Sequence, residues 1–88
     1  MNLIFKNKID EILYKIKSND LNSAKKLSLK LVKKNKKDFQ LQNIYATILY
    51  NLKEFNQAIE TYKLALNLNP NFYQAQYNLA KLYCDLKN

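Results

Sequence analysis

Apolar residues recur along this 88-residue chain at spacings of three and four. Ile9, Ile12, Leu13 and Ile16 form one stripe, and Leu21, Ala24, Leu27 and Leu31 a second. Tyr45, Ala46, Leu49 and Leu52 make a third. Phe55, Ala58, Ile59, Tyr62, Ala65 and Leu66 make a fourth, and Leu79, Ala80, Tyr83 and Leu86 a fifth. Such spacing gathers each set on one face of a helix. No segment alternates apolar and polar residues with a period of two, so strands find no support.

The breaks between stripes carry turn and cap chemistry. Ser18-Asn19-Asp20 offers side-chain acceptors to the free N–H groups that open a second helix. Asn35 to Asp38 is polar throughout. Pro70 disfavours a helical Asn69 and so ends a fourth helix, and Asn71 followed by Gln74 has the spacing of a capping box. The pattern predicts helices over 3–18, 21–35, 39–52, 55–68 and 72–86.

Composition narrows this to an all-α fold. The chain has no glycine and one proline, whereas tight hairpin turns between strands call for glycine at positive φ. Eighty-eight residues suffice for one domain and leave little stability for a deep catalytic cavity. Histidine is absent, no glycine-rich phosphate loop occurs, and no metal-ligand cluster can be read, so neither an enzyme, a cofactor nor a metal site is expected. Cys84 is the single cysteine and has no base beside it, and the expectation is a small, partly buried residue. It cannot form an internal disulfide, and the opening apolar run is far shorter than a signal or membrane segment, which makes the cytoplasm the expected location.

An internal repeat organises the helices. A slide of 34 residues lays Gln40 on Gln74, Gln42 on Gln76, Ala46 on Ala80, Leu52 on Leu86 and Lys53 on Lys87. The same slide lays Asn22 on Asn56 and Ala24 on Ala58. Two helices per period of this length mark a helical solenoid.

Within that period, Tyr45-Ala46, Leu49, Ala58, Tyr62, Ala65 and Pro70 follow the large, small and aromatic order of a tetratricopeptide repeat, which they resemble. The run YNLAKLY over 77–83 is similar to the family's first-helix signature, with Ala80 in place of glycine. The resemblance implies an antiparallel helix-pair solenoid of about two and a half repeats, wound as a right-handed superhelix. Its units are a degenerate repeat over 5–38, a regular one over 39–72, and a first or capping helix over 73–88. In the degenerate unit Ser28 and Lys36 replace the aromatic and the proline. Its first-helix stripe fits if the turn after it is one residue shorter than usual. Ala24, Tyr45, Ala46, Leu49, Ala58, Tyr62, Ala65, Pro70, Leu79, Ala80 and Tyr83 take structural places.

The resemblance also implies a function. First helices of successive repeats line a concave face that binds an extended peptide or a partner helix. Here that face would present Asn7, Asp10, Tyr14 and Lys17, then Gln40, Asn43, Thr47 and Tyr50, then Gln74, Tyr77, Asn78, Lys81 and Cys84. Amides there pair with a peptide backbone, and tyrosines supply flat, half-polar contact area. The paired Lys and Asn that clamp a terminal carboxylate in some family members are missing, since Asp10 and Tyr14 stand in the first repeat's places and only Asn78 matches.

Charge adds a second, weaker candidate. Residues 1–38 hold eleven Lys and four acids, and residues 39–88 four Lys and three acids, so the net charge of +8 divides as +7 and +1. Lys26, Lys30, Lys33, Lys34 and Lys37 would lie on one side of the second helix. Phosphates of nucleic acid or lipid fit such a row, but without arginine or interleaved aromatics both partners are disfavoured against a solvated face. The expectation is a protein or peptide partner. The alternative is a structural or self-associating piece of a larger solenoid, and the stripe Leu79, Tyr83 and Leu86 is expected to meet either a second copy, as a homodimer through the C-terminal helix, or further sequence beyond Asn88.

Overall fold

A computed structural model describes residues 3–87, and Asn88, the last residue of the expected third unit, lies outside them. Five helices follow one another: α1 Leu3–Lys17, α2 Leu21–Lys34, α3 Phe39–Asn51, α4 Phe55–Leu68 and α5 Tyr73–Lys87. Each packs on the next, and α3 also meets α5, so α3 sits at the centre of a stack measuring 39 × 28 × 18 Å. All ten helix ends fall within a residue of the spacing-based expectation.

Local chemistry sets the turns. Asp20 caps α2 by accepting from the Ser23 N–H at 3.4 Å, and Asp38 caps α3 by accepting from Leu41 N–H at 3.0 Å. The α1–α2 and α3–α4 turns share one geometry. Asn19 and Lys53 both adopt positive φ, at 62° and 64°. The following amides, Asp20 and Glu54, reach back to Lys15 and Leu49 carbonyls at 2.8 and 2.9 Å, which closes a Schellman turn in each case. The expected one-residue shortening of the first turn is therefore corrected: three residues separate the helices in both places. Asparagine and lysine here do what glycine usually does.

The α2–α3 and α4–α5 turns also match. Gln42 donates its side-chain N–H to the Lys36 carbonyl at 3.0 Å, and Gln76 donates to the Pro70 carbonyl at 2.6 Å. The Asn71–Gln74 capping box does not form. Asn71 instead donates its backbone N–H to the Asn69 side chain at 3.2 Å, and α5 starts one residue later than that box requires.

Two apolar clusters hold the stack. One joins Ile12, Ala24, Leu31, Leu41 and Ile48 across α1, α2 and α3. The other joins Tyr45, Ala46, Leu49, Ala58, Tyr62, Ala65, Ala75 and Leu82 across α3, α4 and α5. α3 serves both clusters, which explains why it is apolar on two faces. Ser28, at the place of the expected aromatic, is fully buried and donates its hydroxyl to the Lys25 carbonyl at 3.1 Å.

α5 corrects its predicted stripe. Ala75 and Leu82 are the buried residues, with Leu79 half-buried beside them, while Ala80, Tyr83 and Leu86 are exposed. Leu13 of α1 is likewise exposed. Among the described residues no helix packs against these sides of α1 and α5.

Candidate functional site

The first helices α3 and α5 carry a row of polar and aromatic side chains beside the second cluster. Asn78 donates its side-chain amide to the Asn43 side-chain oxygen at 3.3 Å, directly joining the two helices. Further along, the Tyr50 hydroxyl donates to the Asp85 carboxylate, and the Lys81 ammonium stands 5.8 Å from the Tyr50 ring centroid. Gln40, Gln74, Tyr77 and Lys81 are exposed, and Asn43, Tyr50 and Asn78 are half-buried. Thr47 differs from its neighbours: its hydroxyl is spent on the Asn43 carbonyl at 2.9 Å and on the Tyr62 hydroxyl at 2.8 Å. It ties the row to the core.

α1 joins this row in a different register from the one expected. Asn19 and Lys53 fix the correspondence, since they occupy the same place in the same turn and 53 − 19 = 34. Counted from them, Ile12 stands where Ala46 stands, and both are fully buried. Asn7 and Tyr14 then correspond to Leu41 and Ile48, which α3 turns into the cluster shared with α1 and α2. They are exposed on α1 but outside the row, and Asp10 and Lys17 correspond to Ile44 and Asn51. The positions in line with Gln40, Asn43, Thr47 and Tyr50 are Lys6, Ile9, Leu13 and Ile16.

Of the residues expected in structural places, Ala24, Ala46, Leu49, Ala58, Tyr62 and Ala65 are fully buried, and Tyr45 nearly so. Pro70, Ala80 and Tyr83 are exposed. Burial is the largest cause that pushes the Tyr62 hydroxyl above its ordinary pKa. Burial also raises Tyr45, with Lys25 lowering it and Glu54 raising it. Lys25 and Glu54 form the ion pair that locks α2 to the start of α4, at 2.8 Å, so Glu54 is not paired with its sequence neighbour Lys53.

The other candidates are quickly placed. Cys84 is exposed rather than partly buried, because it projects from α5 where no helix covers it. Lys26, Lys30, Lys33, Lys34 and Lys37 are all exposed. Among the described residues no group of three or more His, Cys, Asp or Glu could hold a metal ion, and no helix is long and apolar enough to cross a membrane.

Sequence reasoning missed Leu41, Ile48, Ala75 and Leu82. The signal was present: Leu41 lies 34 before Ala75, Ile48 lies 34 before Leu82, and α3 reads as apolar on more than one face.

Known proteins agree with this geometry. Residues 46–86 match a family model described as a TPR repeat. Over those residues the chain resembles a tetratricopeptide repeat. Among solved structures, that of the MamA D159K mutant is similar to it, with 26% identity and a TM-score of 0.77 over 86% of this chain. This chain spans 42% of the length of that one. No curated protein matches. The five-helix stack therefore has the fold of a tetratricopeptide-type helical module.

Proposed function

We propose that this repeat stack binds an extended peptide or a partner helix along the row that α3 and α5 share. The observation that supports this most is the Asn78–Asn43 bond, which aligns amides from two successive first helices on one face. Each amide keeps donors and lone pairs beyond that bond, enough to pair with the backbone of a bound strand. Tyr77, exposed beside them, adds rigid contact area at small entropic cost, and Lys81 and Asp85 flank Tyr50 with both signs of charge. Gln40 and Gln74 extend the row toward the helix N-termini. Leu13 and Ile9 of α1 would offer apolar contact at its other end. Asn7 and Tyr14 contribute nothing to it.

Selection of peptides against the whole chain, followed by fluorescence anisotropy on the best of them, tests this reading. Gln74→Ala combined with Tyr77→Ala is expected to weaken binding by about tenfold or more, because such aromatic residues dominate interface energies. Lys30→Gln, Lys33→Gln and Lys37→Gln together are expected to leave it unchanged at physiological salt, where exposed charges are screened. The opposite outcome would move the site to α2 and to an anionic ligand.

A further inference from the structure

The seam between the two helices of a repeat is filled in the second repeat and open in the first. In the second, Tyr45, Leu49 and Tyr62 pack into the cluster that joins α3 to α4 and are buried. The residues 34 earlier are Glu11, Lys15 and Ser28, two charged chains and a small hydroxyl in place of two rings and a leucine. These do not close the seam. An open-sided groove of about 210 Å³ remains, lined by Glu11 and Lys15 from α1 and by Ser23, Lys26, Leu27 and Lys30 from α2. The α2 wall is open by its place in the stack: Gln57, Glu60 and Leu64, the counterparts of Ser23, Lys26 and Lys30, are exposed although a whole repeat precedes them.

Charge chooses the ligand. Three ammoniums and one carboxylate give the lining a balance of +2, within the half of the chain that carries +7. Lys26 and Lys30 stand one turn apart on one side of α2, where like charges repel, and among the described residues neither meets a carboxylate at ion-pair distance. Lys15 is held by Glu11 through a long contact of 4.0 Å. The Asp20 carboxylate is engaged by the Ser23 backbone N–H, and the Ser23 hydroxyl can donate to a ligand. Leu27 is the one apolar side chain of the lining, which holds no aromatic ring and no amide to recognise a base or a sugar. A phosphoryl group on a short aliphatic stem fits these features. It brings about two negative charges and three acceptor oxygens, and lysine binds phosphate as a point charge.

We propose that the α1–α2 groove is a second binding site, which takes the phosphorylated side chain of a serine or threonine in a protein partner. Lys15, Lys26 and Lys30 neutralise the dianion, the Ser23 hydroxyl donates to one of its oxygens, and Leu27 meets the carbon stem. Glu11 opposes the ligand and keeps its affinity modest. The site is separate from the row on α3 and α5. On α1, Ile9 and Leu13 stand in line with that row, and Glu11 lies two residues from each, about 200° around the helix.

Titration of the isotope-labelled full chain with a short blocked peptide carrying one phosphoserine, followed by NMR, tests this. Saturating shifts are expected at Ser23, Lys26, Leu27 and Lys30, with a Kd of about 1 mM, and none with the unphosphorylated peptide. Lys26→Gln combined with Lys30→Gln should weaken binding by about tenfold or more. Lys36→Gln combined with Lys37→Gln removes the same charge outside the groove and should change it less than about twofold at physiological salt. Glu11→Gln should tighten binding severalfold, whereas Glu60→Gln should not. All these side chains except Glu11 and Glu60 are exposed lysines, and both glutamates are exposed too, so each variant should melt at an unchanged temperature. Equal weakening by the two lysine pairs, or shifts spread evenly along α2, would overturn the proposal in favour of diffuse charge. Shifts on α3 and α5 alone would return the peptide to the row. Inorganic phosphate binding as tightly as the phosphopeptide would overturn the assignment to a protein partner.

Discussion

Thr47 on α3 and Tyr62 on α4 hold their hydroxyl oxygens 2.8 Å apart. Thr47 has one hydroxyl proton, and that proton goes to the Asn43 carbonyl at 2.9 Å. Tyr62 is therefore the donor to Thr47. The two ends of this bond are not equivalent to remove. Tyr62→Phe takes away a donor and leaves Thr47 bonded within its own helix, at an expected cost of about 0.5–1.5 kcal/mol. Thr47→Val leaves the fully buried Tyr62 hydroxyl without an acceptor and should cost about 1–3 kcal/mol. Urea denaturation distinguishes them, and equal losses would mean that the proton is shared differently.

The same tyrosine makes stability depend on alkaline pH. Its folded pKa lies above the ordinary value of 10.0, chiefly through burial, and Tyr45 is shifted in the same direction. The folded state thus favours the protonated phenols. Their contribution is whole below about pH 10 and is lost as pH rises through the raised folded values. Melting temperature should fall above pH 10, and less steeply in Tyr62→Phe. Parallel curves for the two proteins would show that Tyr62 ionises freely.

Lys53 sits at positive φ although it carries a Cβ. A left-handed conformation costs an ordinary residue about 1–2 kcal/mol, part of which glycine would give back as unfolded-state entropy. Lys53→Gly is expected to stabilise the chain by about 0.5–1 kcal/mol, and Asn19→Gly by less, because asparagine tolerates this conformation. Asn19→Val should destabilise it. Thermal melts of the three variants check the order.

Ala46 and Ala80 occupy equivalent places but not equivalent surroundings, one fully buried and one exposed. Ala46→Leu should overpack the α3–α4 crossing at about 1–3 kcal/mol. Ala80→Leu should stay within about 0.5 kcal/mol of the parent. Similar losses at both positions would mean that α5 is covered.

The sequence by itself determined the five helices, because apolar spacing, the Asp20 and Asp38 caps and the proline at 70 act over a few residues and leave local marks. It also determined the 34-residue period and, through Tyr45, Ala46, Ala58, Tyr62 and Ala65, the repeat type. The register of α1 was not legible. A Schellman turn built on asparagine or lysine lacks the glycine that announces it, so Leu13 looked as fit as Ile12 for the place of Ala46. The match of Gln42 with Gln76 was visible, but its role was not, since the carbonyl each amide meets is brought there by the fold of the turn. Only the tertiary structure decided which apolar faces are covered. Periodicity records that a side of a helix is apolar; whether Leu49 is sealed and Tyr83 left in water depends on whether another helix lies against it.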